Sequence, residues 1–283
     1  MKVLVTGATG FVGRHVVAEL AMLGHEVLAI ARNPARLPDM PWHNIVCFLS
    51  CDIHSEHIDA ALRFAPDVLV HLAWPGLPNY QQTFHFEHNL PADYSFLKRV
   101  VECGVKQVLV TGTGAEFGLL GGELAEDGPT APFNAYGIAK DSLRRFLQHL
   151  QLSWPFVLQW VRLFHMYGPG QSQGSLLAQL DKAIDEESVS FDMSGGEQLR
   201  DYLPVQEVAR RISQLVSRPD IHGVINCCSG TPISVRRLVE DRITERGATL
   251  KLNLGVHPYP AYEPMAYWGS IGKLAGLLES CRR

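Results

Sequence analysis

The chain has 283 residues, a formal charge of −4, 46% hydrophobic residues and 19% charged residues. A chain of this length buries on the order of 75% of the surface its unfolded form exposes, so a full core forms without staples. The balance argues against a nucleic-acid partner, and Cys47, Cys51, Cys103, Cys227, Cys228 and Cys281, with no Cys-x-x-Cys spacing, argue against a zinc site or a disulfide framework.

Short β-rich runs alternate with longer helical patterns through the first half, which predicts a parallel sheet covered on both faces. The first run, Lys2 to Val5, stops at Thr6-Gly7. It is too short for a signal-peptide core, and no later stretch holds about 18 consecutive apolar residues. Neither export nor membrane spanning is expected, and reduced thiols in a cytoplasm fit best. The loop Gly7-Ala8-Thr9-Gly10-Phe11-Val12-Gly13 follows the strand and opens a helix. In that setting Gly7 makes a tight turn, Gly10 lets backbone approach a pyrophosphate, and Gly13 permits close helix packing. With Phe11 and Val12 they form a candidate dinucleotide loop, the bland alternative being a simple strand-to-helix turn. The helix presents one apolar face, Val16, Val17, Leu20 and Leu23.

The second strand is predicted at Glu26 to Ile30, and Ala31-Arg32 follows it. A site that prefers NAD normally shows an acidic residue there, bonding the adenosine ribose. Arg32, helped by Arg14, suits a 2′-phosphate instead, because a guanidinium binds phosphate through paired donors. NADP is therefore expected over NAD. The competing reading makes Arg32 and Arg36 solvated charges around Pro34. Further strands are predicted at Ile45 to Phe48, Val68 to Leu72, Gln107 to Thr111 and Phe156 to Leu163, with Val224 to Asn226 returning as a seventh. Trp74, Tyr80, Phe84 and Phe86 are candidates for an apolar substrate wall, although such spacing is more often core.

Thr113 and the run Tyr136-Gly137-Ile138-Ala139-Lys140 carry the chemistry. Four residues of helical spacing set the phenol and the ammonium about one turn apart on one face. A tyrosine pKa of about 10 is too high for easy proton exchange at neutral pH, and the Lys140 charge is expected to lower it. A ketone receiving hydride becomes an alkoxide, so the reaction needs an acid at the oxygen, Tyr136, and a second donor, Thr113. Alone, Tyr-x-x-x-Lys is more often a buried tyrosine beside a solvated lysine. Leu143, Phe146, Leu147 and Leu150 form the packing stripe of this helix. Beyond Tyr167-Gly168-Pro169-Gly170 the pattern changes to glycine-rich turns and an amphipathic helix around Leu176 to Ile184. The expected division is a dinucleotide-binding part over residues 1–167, returning at 200–230, and a smaller interleaved substrate-binding part over 168–199 and 231–283.

With the glycine loop, Thr113, Tyr136 and Lys140 in place, the sequence resembles the extended short-chain dehydrogenase/reductase family over nearly its whole length. The likeness is to its nucleotide-sugar epimerase, dehydratase and reductase branch. It implies a Rossmann-type doubly wound α/β fold, a homodimer, and Tyr136 as catalytic acid/base with Lys140 lowering its pKa and holding the nicotinamide ribose. It also implies Asp52 and Ile53 at the adenine, Leu72, Ala73 and Trp74 along the cofactor, and Asn89 at a helix asparagine. The segment Arg162 to Gly170 is similar to the one lining nicotinamide and substrate. Arg200 would bind a nucleotide diphosphate, the alternative being an ion pair with Asp201 or Glu197. His165 replaces an asparagine and is expected in substrate contact or packing, with no metal.

Three departures bear on function. Dehydratases of this branch carry an Asp-Glu pair after the Ser/Thr; here Gly114-Ala115 stand there, and strand alternation would turn Glu116 to the other face, against a 4,6-dehydratase. No second phosphate-binding arginine is evident in His257 to Glu263. Arg32 favours a reductase over an NAD-retaining epimerase. The expected function is NADP-dependent reduction of the 4-keto group of a nucleotide-linked 6-deoxyhexose, in surface-polysaccharide sugar synthesis. The alternatives are an NAD-dependent nucleotide-sugar 4-epimerase, a reductase of a non-nucleotide ketone, and a non-catalytic dinucleotide-binding regulator. The regulator has no need of Thr113, Tyr136 and Lys140 together.

Overall fold

The computed structural model describes residues 1–55, 58–259 and 263–280. Its central sheet has seven strands: β1 (Lys2–Thr6), β2 (Glu26–Ala31), β3 (Cys47–Ser50), β4 (Val68–His71), β5 (Gln107–Thr113), β6 (Val157–Leu163) and β7 (Gly223–Cys227). They lie in the order β7-β6-β5-β4-β1-β2-β3. Every neighbouring pair is parallel. The strand order reverses between β1 and β4, and a crevice opens beyond the carboxyl ends of the strands at such a switch point.

Period-two alternation fills both faces of the sheet. On one face Val3, Val5 and Ala29 meet Val16, Val17 and Leu20 of helix α1 (Gly13–Met22) and residues 208–216 further along the chain. On the other, Leu4, Leu69 and Val108 meet Phe96, Leu97 and Val100 of α2 (Leu90–Glu102) and Leu143, Leu147 and Leu150 of α3 (Ala135–Leu150). Each such fully buried side chain contributes about 1.5–3 kcal/mol. Three local expectations are corrected. Leu23 is exposed because α1 ends before it and Gly24, at φ +77°, turns the chain away. Phe146 is exposed and meets Tyr94 edge-on at 5.7 Å, outside the buried stripe. The third strand starts two residues late, because the N–H groups of Ile45 and Val46 turn back to the Trp42 carbonyl.

The later part of the chain builds a second layer. Helices α4 (Leu176–Asp185) and α6 (Val235–Glu245) pack around Phe191 and Met193, while α5 (Val205–Val216) returns to the sheet beside α1. Two short parallel ladders join the layers next to the crevice, Tyr202–Pro204 with His165–Tyr167 and Tyr267–Gly269 with Gly122–Leu124. The fold is a Rossmann-type doubly wound α/β sheet with a smaller interleaved part.

Candidate active site

At the end of β1 the chain turns through Gly7, whose φ of +69° favours glycine and whose added Cβ would lie 2.7 Å from the Ala73 nitrogen. The Gly10 N–H closes the turn on the Gly7 carbonyl at 2.9 Å. Helix α1 then packs so near that a Cβ on Gly13 would fall 2.2 Å from the Gly7 oxygen. The first N–H groups of a helix have no acceptor within it and favour an anion. Here Phe11, Val12 and Gly13 face a cavity of about 670 Å3 that runs from Arg32, Asp52 and Ile53, past Leu72, Ala73 and Trp74, to Thr113, Tyr136 and Lys140. Ligand sites are commonly about 300–1,000 Å3. Size, glycine cradle and helix N-terminus fit a dinucleotide.

The arginines divide differently from the expectation. Arg14 donates to the Asp39 carbonyl at 2.9 Å and packs on Gly170, outside the cavity wall. Arg36, on the turn that Asn33 caps through the Ala35 N–H, joins the exposed Arg32 at the cavity instead. His54, which the sequence reading passed over, also lines the cavity, its N–H accepted by Asp52 Oδ1 at 3.1 Å. Asn89 is buried and donates to the Pro75 carbonyl at 2.9 Å.

Behind His54 lies a buried polar chain. Its Nε2 is 2.8 Å from Asp93 Oδ1, His71 Nε2 is 3.5 Å from the same oxygen, and His71 Nδ1 is 2.9 Å from the Thr6 hydroxyl. Burial alone would raise the Asp93 pKa, but the imidazoles of His71 and His54 outweigh it and hold the carboxyl at about 2. The same carboxylate raises the His54 pKa through its hydrogen bond. A folded-state value below the unfolded one stabilises the fold above the unfolded pKa, and that contribution disappears as pH falls through the folded value. From 3.8 to about 2 this amounts to about 2 kcal/mol. Asp93→Asn is therefore expected to destabilise the protein at pH 6, with the difference from wild type shrinking as pH falls from about 4 towards 2. Denaturant melts at several pH values check this; a gap independent of pH would contradict it.

Strand β5 runs two residues beyond its expected end, which carries Thr113 into the crevice. Asn134 caps α3 by accepting the Gly137 N–H at 2.7 Å, and this sets Tyr136 and Lys140 in the first turns, both buried. The Tyr136 ring sits among Trp74, Tyr80 and His85, with centroids 5.9, 5.6 and 5.4 Å away. Of the four candidate aromatics, Trp74 and Tyr80 line the cavity, Phe84 packs on Gly76, and Phe86 is exposed.

The expected lowering of the Tyr136 pKa does not occur in this arrangement. Burial raises it strongly, Tyr80 and Glu116 add to the rise, and only the Thr113 hydrogen bond pulls the other way. The Lys140 ammonium is committed elsewhere, donating to the Thr111 carbonyl at 2.9 Å with Trp74 beneath it at 4.0 Å. Burial brings its own pKa down to about 8 against the pull of Asp93 and Glu116. Tyr136 is thus a neutral phenol at physiological pH, a proton donor. Glu116 faces away from both cavities, as expected, but by another route: residues Gly114–Phe117 form a 3-10 turn, not a strand, and its carboxylate points into the core.

A second cavity of about 570 Å3 shares Tyr80, Thr113, Leu163 and Phe164 with the first. His165 lines it, 2.5 Å from the Tyr267 hydroxyl, and burial lowers the imidazole pKa. Arg200 does not line it. The guanidinium is buried, paired with Glu263 at 2.8 Å and bonded to the Leu199 and Met265 carbonyls. Neither predicted partner is taken: Asp201 accepts the Ser229 and Gly230 N–H groups, and Glu197 the Tyr259 hydroxyl. Within the expected His257 to Glu263 segment, residues 260–262 lie outside the described residues, as does Cys281. Among the described residues no group of three or more His, Cys, Asp or Glu is placed to hold a metal, and no helix is long and apolar enough to cross a membrane.

A dinucleotide crevice that ends on a buried phenol is the arrangement of a nicotinamide-dependent oxidoreductase. The chain belongs to the NAD dependent epimerase/dehydratase family, matched over residues 3–228, and is an enzyme of the extended short-chain dehydrogenase/reductase type. The dTDP-6-deoxy-L-talose 4-dehydrogenase (NAD(+)) of Aggregatibacter actinomycetemcomitans is 33% identical over 273 residues, 95% of this chain and 100% of that one. The GDP-6-deoxy-D-talose 4-dehydrogenase of the same organism is 23% identical over 244 residues, 85% of this chain and 78% of its own. Among solved structures, MoeE5 in complex with UDP-glucuronic acid and NAD has a TM-score of 0.84 at 25% identity, covering 99% of this chain and 93% of that chain.

Proposed function

We propose that the protein is an NADP(H)-dependent oxidoreductase acting at C4 of a nucleotide-linked 6-deoxyhexose, in the direction of ketone reduction. The observation that carries the reading is the position of Thr113, on the wall shared by the two cavities, beside the Tyr136 phenol, whose ionised form it favours. A ketone seated there meets both donors. Bound nicotinamide supplies the hydride for the carbonyl carbon. Tyr136 passes its proton to the carbonyl oxygen, and Thr113 donates to the developing charge. Lys140, below its pKa of about 8, holds a positive charge beside the ring cluster and the dinucleotide cavity.

The second cavity supports the substrate class. Phe117, Leu120, Leu124 and Phe164 give it an apolar wall suited to a sugar methyl, and Gln81, Gln82 and Asn134 offer amides to hydroxyls. The names of both 4-dehydrogenase relatives agree with action at C4 of a 6-deoxy sugar. Glu263 lines the cavity with Arg200 just behind it, so exchange of that carboxylate for a diphosphate gives the carrier its cation.

Arg32 and Arg36 support NADP, with no carboxylate at the end of β2, where Ala31 stands. Replacing both by alanine is expected to weaken NADPH binding about 10- to 100-fold, the worth of one or two charge-assisted hydrogen bonds, and NADH binding less than about twofold. Fluorescence titration checks this. Equal affinity of the wild type for the two cofactors contradicts the assignment. NADPH and NADH consumption in parallel against dTDP-, GDP- and CDP-4-keto-6-deoxyhexoses tests the activity; sugar interconversion without added cofactor makes the protein a 4-epimerase.

A further inference from the structure

The Glu116 carboxylate lines neither cavity, is fully buried, and gathers three donors from different parts of the chain. Oε1 accepts the Thr113 backbone N–H and the Trp160 Nε1–H, both at 2.9 Å. Oε2 accepts Arg162 Nε at 2.8 Å, with Arg144 Nε at 3.8 Å. The neighbouring strand is shaped around it, since a Cβ on Gly112 would lie 2.2 Å from Trp160 Nε1 and 2.5 Å from Glu116 Oε1. We propose that Glu116 is a positioning residue, a buried carboxylate that clamps Thr113 from behind so that its hydroxyl faces the Tyr136 phenol and the ketone. This rests on the roles proposed for Thr113 and Tyr136.

The clamp has two halves. Glu116 takes the Thr113 N–H while the Thr113 hydroxyl accepts the Ala115 N–H at 3.2 Å, a reciprocal capping box around a four-residue turn. With one lone pair of the hydroxyl taken by the Ala115 N–H, its single proton stays free for the ketone oxygen beside the phenol. Arg162, facing Gly112 across the ladder and stacked 4.4 Å over Phe117, holds the carboxylate in turn. The anion also bears on its neighbours: after burial, its charge favours the phenol form of Tyr136 and the ammonium form of Lys140. A buried ion pair adds little stability over an apolar pair of like volume, so stability alone does not account for a carboxylate here.

The test is Glu116→Gln, with Glu116→Asp as the conservative rescue and Thr113→Ala for comparison. Glu116→Gln is expected to bind NADPH as wild type does, within about twofold, and to lose about tenfold or more in kcat with KM little changed, as small misplacements do. Glu116→Asp recovers part of that loss, and Thr113→Ala/Glu116→Gln is no slower than Thr113→Ala alone. A Glu116→Gln kcat within about twofold of wild type, or losses that multiply in the double variant, overturns the clamp. Its failure is separable from that of the sugar reading by a readout that needs no substrate. In protein labelled with 15N-threonine, the Thr113 amide is expected to shift and to exchange faster with water in Glu116→Leu, which has no acceptor for it; an unchanged amide refutes the clamp whatever the substrate. Should Glu116→Leu fail to fold, Glu116→Leu/Arg162→Gln removes the unpaired guanidinium as well and gives the same amide readout.

Discussion

Tyr136→Phe is expected to lower kcat about 10²- to 10⁴-fold and to leave dinucleotide affinity within about twofold, as removal of a general acid does. The ring keeps its surroundings, since Trp74, Tyr80 and His85 pack on the ring and not on the hydroxyl's proton. Only the hydroxyl is lost, and with it the proton for the alkoxide. Steady-state turnover of a 4-keto sugar and NADPH fluorescence, measured on one preparation, separate the two effects. Turnover within about threefold of wild type means that the proton comes from another group, and the assignment of Tyr136 fails.

Gly13→Val is expected to abolish dinucleotide binding at millimolar concentrations and to lower Tm by about 2–10 °C, corresponding to about 1–3 kcal/mol of overpacking. The added Cβ meets backbone, the Gly7 oxygen at 2.2 Å and the Ala8 Cα at 2.9 Å, so neither neighbour escapes by rotating a side chain. Helix α1 must move outward as a body. Its N–H groups then no longer converge with the Gly7 turn on one anion. Calorimetry and NADPH titration check the two parts; wild-type binding in the variant would show that the cradle does not hold the pyrophosphate.

Much of the sheet and of the glycine loop was legible because local periodicity carries both. Val3, Leu4 and Val5 alternate between the two faces, and Gly7 and Gly13 stand where strand meets helix. What escaped was set by partners distant in sequence. His54 meets Asp93 across 39 residues, and Arg200 meets Glu263 across 63, so no window of sequence shows either pair. The Lys140 ammonium turns to a carbonyl of β5, which helical spacing between Tyr136 and Lys140 does not report. Glu116 turns away from the cavities through a 3-10 turn, which a strand period does not describe. Ile45 failed as a strand residue, since an apolar residue beside a strand is bound back to Trp42 and left exposed.

The most direct test follows a labelled hydride. NADPH carrying deuterium at nicotinamide C4 is incubated with a dTDP- or GDP-linked 4-keto-6-deoxyhexose, with wild type and Tyr136→Phe in parallel, and the product sugar is analysed by mass spectrometry and NMR. One deuterium at sugar C4 with wild type, nearly absent with Tyr136→Phe, is the expected result. Oxidation of NADPH with no deuterium in the sugar, or equal labelling by the two proteins, would contradict reduction at C4 with Tyr136 as the acid.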